Sequence, residues 1–179
     1  MKKSVFALLF GVLACVAIYA QLPPVFGRDR HATSTETVIR YLSPVNILWQ
    51  SDTTPTSYIR NAQRLLKPGN GQADLANRNM CVLKGDDSIQ PALLLDFGRE
   101  LHGGLQIVTG MYRGNKPVKL RIRFGESASE AMSDIEPKQN ATNDHAMRDM
   151  IVEVPWLGKL EVGNTGFRFV RIDLVDKNV

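Results

Sequence analysis

The sequence of 179 residues carries 22 Lys+Arg against 18 Asp+Glu, a formal charge of +4, two cysteines, and 44% hydrophobic but only 7% aromatic residues. That length fits one ordinary globular domain. With 22% charged residues and near-average apolar content, wholesale disorder, a collagen-like repeat, a multi-span membrane protein and a large multi-domain enzyme are all excluded.

Lys2 and Lys3 precede an apolar run from Val5 to Ala20, which then meets Gln21-Leu22-Pro23-Pro24. This order of charge, apolar stretch and small residue predicts a signal peptide over residues 1–20, cleaved after Ala20, although Ile18 is larger than the ideal residue there. The run is short for a bilayer span of roughly 20 residues. An uncleaved anchor is the alternative. Val12-Leu13-Ala14-Cys15 loosely imitates a lipid-attachment box, but the apolar residues continue past Cys15. The expectation is export to the periplasm or cell surface, with membrane contact only through the signal segment. Removing residues 1–20 takes away two lysines and no acids, so 20 basic and 18 acidic residues remain and the charge falls to +2. Nucleic acid is therefore not an expected partner. Cys81 becomes the single thiol, no internal disulfide can form, and the stretch Met80-Cys81-Val82-Leu83 reads as a site for a buried structural cysteine.

Residues 21–42 contain Pro23, Pro24, Gly27 and a polar run without sustained apolar period, and read as an irregular lead-in to a domain over residues 43–179. Val45 to Trp49 reads as a short strand and Thr53-Thr54-Pro55-Thr56 as a turn. Tyr58 to Leu66 fits either a helical spacing or an irregular strand, and Lys67-Pro68-Gly69-Asn70-Gly71 ends it. Short β-rich runs follow: Pro91 to Phe97, Leu105 to Met111 after Gly103-Gly104, Val118 to Phe124, Met147 to Val154, and Phe167 to Val175. Glycine, proline and polar residues separate them, with Gly158, Gly163, Asn164 and Gly166 punctuating the last interval. Val118, Leu120, Ile122 and Phe124 alternate with Lys119, Arg121 and Arg123, which sends four apolar side chains to one face of a strand and three cations to the other. The pattern predicts an all-β, antiparallel β-sandwich of the jelly-roll or galactose-binding-like kind.

His31, His102 and His145 share no metal-ligand spacing and one cysteine makes no thiolate site, so no metal and no cofactor is expected. Gly69-Asn70-Gly71-Gln72-Ala73-Asp74 has Asp74 where a dinucleotide fingerprint needs its third glycine and reads as a turn. No phosphate-binding loop and no serine nucleophile elbow occurs. Glu126, Glu130, Asp134, Glu136, Asp144 and Asp149 crowd one segment, and glycoside hydrolysis needs only two carboxylates flanking a sugar. Surface groups on the connection from Gly125 to His145 are the plainer reading. Within that connection Asp144 and His145, with Arg148, are candidate contacts for a polar ligand or a neighbouring domain. Trp49 and Trp156 are candidate sugar-stacking platforms, set against ordinary packing. Lys119, Arg121 and Arg123 read as a solvated sheet face, with an anionic-ligand patch as the alternative. Asn140-Ala141-Thr142 matches a glycosylation sequon.

Leu95 to Leu105, with Gly98, Gly103 and Gly104, followed by Val118 to Glu126, resembles the strand, glycine turn, strand and strand-ending glutamate of the non-catalytic β-sandwich in bacterial α-L-rhamnosidases of glycoside hydrolase family 78. Gly166-Phe167-Arg168-Phe169-Val170-Arg171 resembles the strand that closes that domain, and residues 140–149 and 155–158 are similar to the Bacteroides type. The resemblance runs from about Tyr41 to Asp176. It implies a sandwich that packs against a helical-barrel catalytic domain, which removes terminal α-L-rhamnose with inversion. No position here matches the barrel's carboxylates, so no catalytic residue is carried over. The expectation is an exported accessory domain, not catalytic by itself. The alternative is a free-standing module that binds rhamnose-containing carbohydrate without cleaving it.

Overall fold

The computed structural model describes residues 39–54, 58–69, 80–112, 114–134 and 148–179. The predicted signal segment, nearly all of the lead-in, the sequon, Glu136, Asp144 and His145 lie outside the described residues. The chain divides into Met1–Arg40 and Tyr41–Val179, and every strand below belongs to the second unit.

Among the described residues, strands β1 (Asn46–Gln50), β2 (Ile59–Arg60), β3 (Val82–Leu83), β4 (Ala92–Thr109), β5 (Val118–Gly125), β6 (Arg148–Val154) and β7 (Gly158–Leu174) account for nearly all regular structure, with one short α-helix, α1 (Ala128–Met132), and one 3-10 helix. Five of them form one sheet in the order β1-β4-β7-β5-β6, every pair antiparallel. The two-residue alternation of β5 decides which face is core. Ile122 stands opposite Ile172 and Phe124 opposite Val170, while across the next interface Leu93 and Leu95 meet the same two residues. Ile122, Phe124 and Val170 are fully buried as a result. Burying a side chain of this size contributes about 2 kcal/mol, so this face dominates the stability of the domain.

The sequence reads β4 and β7 as broken by their glycines, with Gly98, Gly103 and Gly104 forming a tight connection between two strands. The structure corrects this: each is a single long strand, of 18 and 17 residues. The interruptions are bulges rather than turns, with register shifts between Asp96 and Leu101 and between Gly103 and Leu105. Gly98 takes φ +77, which side chains other than glycine resist, and its N–H donates to Asp96 Oδ1 at 2.7 Å. Bonding to β7 on both sides of the bulges keeps the chain extended through residues of poor strand propensity.

Beyond the bulges, Leu105 to Thr109 pair with Gly158 to Val162 as an arm. Leu105, Ile107, Leu160 and Val162 pack against the cluster formed by β5 and β7. Phe167 makes edge-on ring contacts with Phe97 at 5.4 Å and with Phe124 at 5.1 Å, tying the arm to the sheet. The sheet therefore curls over its own core face, and the domain is an all-β antiparallel sandwich. The other half of that face is covered by β2, β3 and the 3-10 helix Ala62–Leu66, whose Ile59 and Ala62 meet Leu93 and Leu95. The ambiguous stretch Tyr58 to Leu66 is thus both things in succession, a two-residue strand and a helical turn. Cys81 packs against the same cluster, and burial pushes its thiol up to about 11, which keeps it protonated.

Candidate functional site

The sheet face opposite the core carries the charged residues. Arg121 and Arg123 from β5 and Arg171 from β7 project there, and so do Asp149 from β6 and Asp173 from β7, because each stands in register with another. Helix α1 folds across this face, held at its start by a capping box in which Ser127 Oγ accepts from Glu130 N–H and Glu130 Oε2 accepts from Ser127 N–H. Ala131 packs with Leu94 and Phe169, which delivers Ser133 and Asp134 to the arginines.

The resulting network is balanced in charge. Arg121 Nε donates to Asp149 Oδ1 at 2.9 Å, its Nη2 meets the other oxygen, and its Nη1 lies 3.3 Å from Asp134. Arg123 reaches Asp134 at 2.9 Å, the Ser133 carbonyl at 3.0 Å and Asp173 at 3.3 Å. Arg171 holds Asp173 at 2.7 Å and donates to the Met132 carbonyl at 3.4 Å. Three guanidinium groups thus face three carboxylates. Hydrogen bonding to Asp149 raises the Arg121 pKa further above its already high value. Arg123 is only 2% exposed, and its Nε makes no hydrogen bond among the described residues. The expectation of a solvated cationic face is therefore corrected: Lys119 is exposed, but Arg121 is half-covered and Arg123 is buried. The compensating carboxylates come from three other segments, and no strand period reveals them.

Three of the four described carboxylates of the crowded acidic segment have structural work. Glu130 caps α1, while Asp134 and Asp149 pair with arginine; Glu126 is exposed at the end of β5. Hydrogen-bonded, charge-neutral pairs of this kind fix the geometry of both partners.

The other sequence-predicted residues do not meet. Trp49 lies on edge strand β1, while Trp156 sits in the turn between β6 and β7, where β7 begins its pairing with the end of β4. The Trp156 indole N–H donates to the Tyr112 carbonyl at 3.1 Å, beside Thr109 Oγ1, which donates to the Pro155 carbonyl at 2.6 Å. Its half-buried ring closes the end of the arm. Arg148 opens β6 opposite Phe124 and stays out of the arginine network. Trp49 is 36% exposed, with the Arg171 guanidinium carbon 5.3 Å from its ring centroid. Arg171 and Asn46 were not singled out in the sequence. The alternation within Gly166 to Arg171 places Arg171 on the polar face, but its stacking on Trp49 depends on pairing across two strands.

Exposed apolar residues concentrate before and along β1, namely Tyr41, Leu42, Val45 and Leu48. The Tyr41 hydroxyl donates to Glu161 Oε1 at 3.3 Å, so this stretch is tied to the outside of the arm. His102 is exposed on β4. Among the described residues no group of three or more His, Cys, Asp and Glu is placed to hold a metal ion, and no helix is long and apolar enough to cross a membrane.

No protein-family model matches the chain, and no curated protein matches it. Among solved structures, a rhamnosidase from Klebsiella oxytoca with rhamnose bound is similar at 20% identity and a TM-score of 0.35, over 53% of this chain and 19% of that one. The chain spans about a fifth of that rhamnosidase's length.

Proposed function

We propose that this chain is an exported, non-catalytic accessory β-sandwich of a rhamnosidase-like glycoside hydrolase, a scaffold for a helical-barrel catalytic domain that removes terminal α-L-rhamnose from glycans. The observation that carries the reading is the division of labour on the surface. The described arginines and aspartates of the polar face are spent on one another, whereas Tyr41, Leu42, Val45 and Leu48 are left exposed along one edge. Exposed apolar side chains gathered in one short segment favour a protein contact there. In addition, the three sequence blocks that resemble the family 78 sandwich form β4, β5 and β7, which are neighbours in the sheet.

The test has two arms. The full chain is assayed on an aryl α-L-rhamnoside, and its binding to a separately produced helical-barrel domain of a family 78 enzyme is measured by calorimetry. No hydrolysis and saturable binding are expected, with binding weakened about tenfold or more in the double variant Val45→Asp, Leu48→Asp, since each charge must be desolvated at the contact. Hydrolysis by the chain alone that disappears in Asp134→Asn or Asp149→Asn would overturn the proposal, as would binding indifferent to the edge substitutions.

A further inference from the structure

Side chains alternate along a strand, so Trp49, two places after the core-facing Ile47, belongs by period on the core face. One extra residue prevents this. Ile47 stands opposite Leu95 but Trp49 stands opposite Leu94, with Leu48 as the bulged residue between them. A bulge turns the side chains that follow it to the other face of the sheet. Asn46, opposite Asp96, and Trp49 consequently share the polar face, about 7 Å apart along the strand direction.

The guanidinium behind the indole is also held still. Arg171 lies against one side of the ring, and its guanidinium is fixed by Asp173 at 2.7 Å and by the Met132 carbonyl. An aromatic ring turned outward on an edge strand, backed by a guanidinium that cannot swing away, is a preorganised platform. Charge narrows what it can receive. Arg171 is neutralised by Asp173, and Arg168, whose Nε donates to Asp96 Oδ1 at 2.9 Å, is neutralised in turn beside Asn46. The site has an apolar plate, an exposed amide and no net charge.

We propose that Trp49 and Asn46 form a subsite for a neutral pyranose sugar, with the C–H face of the ring stacked on the indole and its hydroxyl groups meeting the Asn46 amide. Among the described residues, uronates and phosphates find no uncompensated cation here. The site does not depend on the scaffold reading: sugar capture needs no barrel, and barrel binding needs no sugar.

Trp156→Phe in the full chain leaves Trp49 as its single tryptophan reporter. Titration with methyl α-L-rhamnopyranoside is expected to change Trp49 emission saturably at millimolar concentration. Trp49→Ala, measured by calorimetry, is expected to lower affinity about tenfold, and Asn46→Ala to lower it less. Trp49→Phe, which keeps a smaller ring and the packing of the edge, should retain part of the binding. Circular dichroism establishes that each variant is folded. An emission that does not respond to the sugar would overturn the proposal, as would unchanged affinity in folded Trp49→Ala or D-glucuronate binding as tightly as the neutral glycoside. None of these outcomes bears on whether the barrel is bound.

Discussion

Arg123 enters the core of the polar face with a charge that water would otherwise solvate, and its partners differ sharply in exposure. Asp173 is largely covered, whereas the Asp134 side chain is 66% exposed. Truncating the buried member leaves a cavity and disturbs a packed network, and loss of a buried charged partner costs about 3 kcal/mol. Removing the exposed member forfeits an interaction already weakened by solvent, about 1 kcal/mol or less. Arg123→Ala is therefore expected to lower the urea midpoint markedly and Asp134→Ala hardly at all; equal effects would refute the distinction. The same residues mark what sequence can and cannot say. Alternation over Val118 to Phe124 places Arg121 and Arg123 correctly on the face away from the core. It cannot say whether water or carboxylate meets them there, because Asp134, Asp149 and Asp173 arrive from a loop and two other strands. Trp49 presents the same difficulty in reverse: its residue type suggests a platform, but the face it occupies is set by the bulge at Leu48.

Among the elements, the arm of β4 and β7 depends on one close approach. Gly163 has φ +87, and a Cβ there would stand 2.8 Å from Phe124 Cζ, closer than van der Waals contact with a ring that is itself fully buried. Gly103, on the partner strand, has open space where its Cβ would be. Gly163→Ala is expected to cost about 2 kcal/mol or more, from backbone strain and from displacing the ring. Gly103→Ala should lie within about 0.5 kcal/mol of the parent. Thermal unfolding of the two variants distinguishes them, and a tolerant Gly163 would mean that the arm does not sit on Phe124 in solution. These glycines also explain where the sequence reading of strands falls short. Glycine is punctuation when it lies in a turn, but Gly98, Gly104 and Gly163 relieve crowding within continuous strands, and the residues alone look the same in both settings. The longer strands without internal glycine, β5 and β6, are legible almost to the residue.

At the scale of the molecule, stability should weaken in acid. Asp96 accepts from Arg168 and from the Gly98 N–H, and the arginine hydrogen bond holds its carboxyl below the ordinary value of 3.8. A carboxyl depressed in the folded state contributes stability that is present above its unfolded pKa and is lost as pH falls through the lower folded one. The melting temperature is expected to drop between pH 5 and pH 3, and Asp96→Asn should flatten that part of the profile while lowering stability near neutrality. A parallel pH profile in the variant would remove Asp96 from the explanation. The overall architecture, antiparallel strands around one core, is readable from composition and punctuation because it needs only alternation and turns. Its curled sheet is not, because the arm is made by residues some fifty positions apart pairing across bulges.

Strand order carries a consequence for how the chain acquires this structure. β7 follows every other strand in the chain, yet it lies at the centre of the sheet, hydrogen-bonded to β4 on one side and β5 on the other. During synthesis β4 and β5 must wait without the strand that joins them, their apolar faces open, until β7 leaves the ribosome. Nearly all the pairing that then forms is between distant positions, so closure is slow. A chain built in this order has a long interval of vulnerability to self-association, and an attendant chaperone would have most to do there.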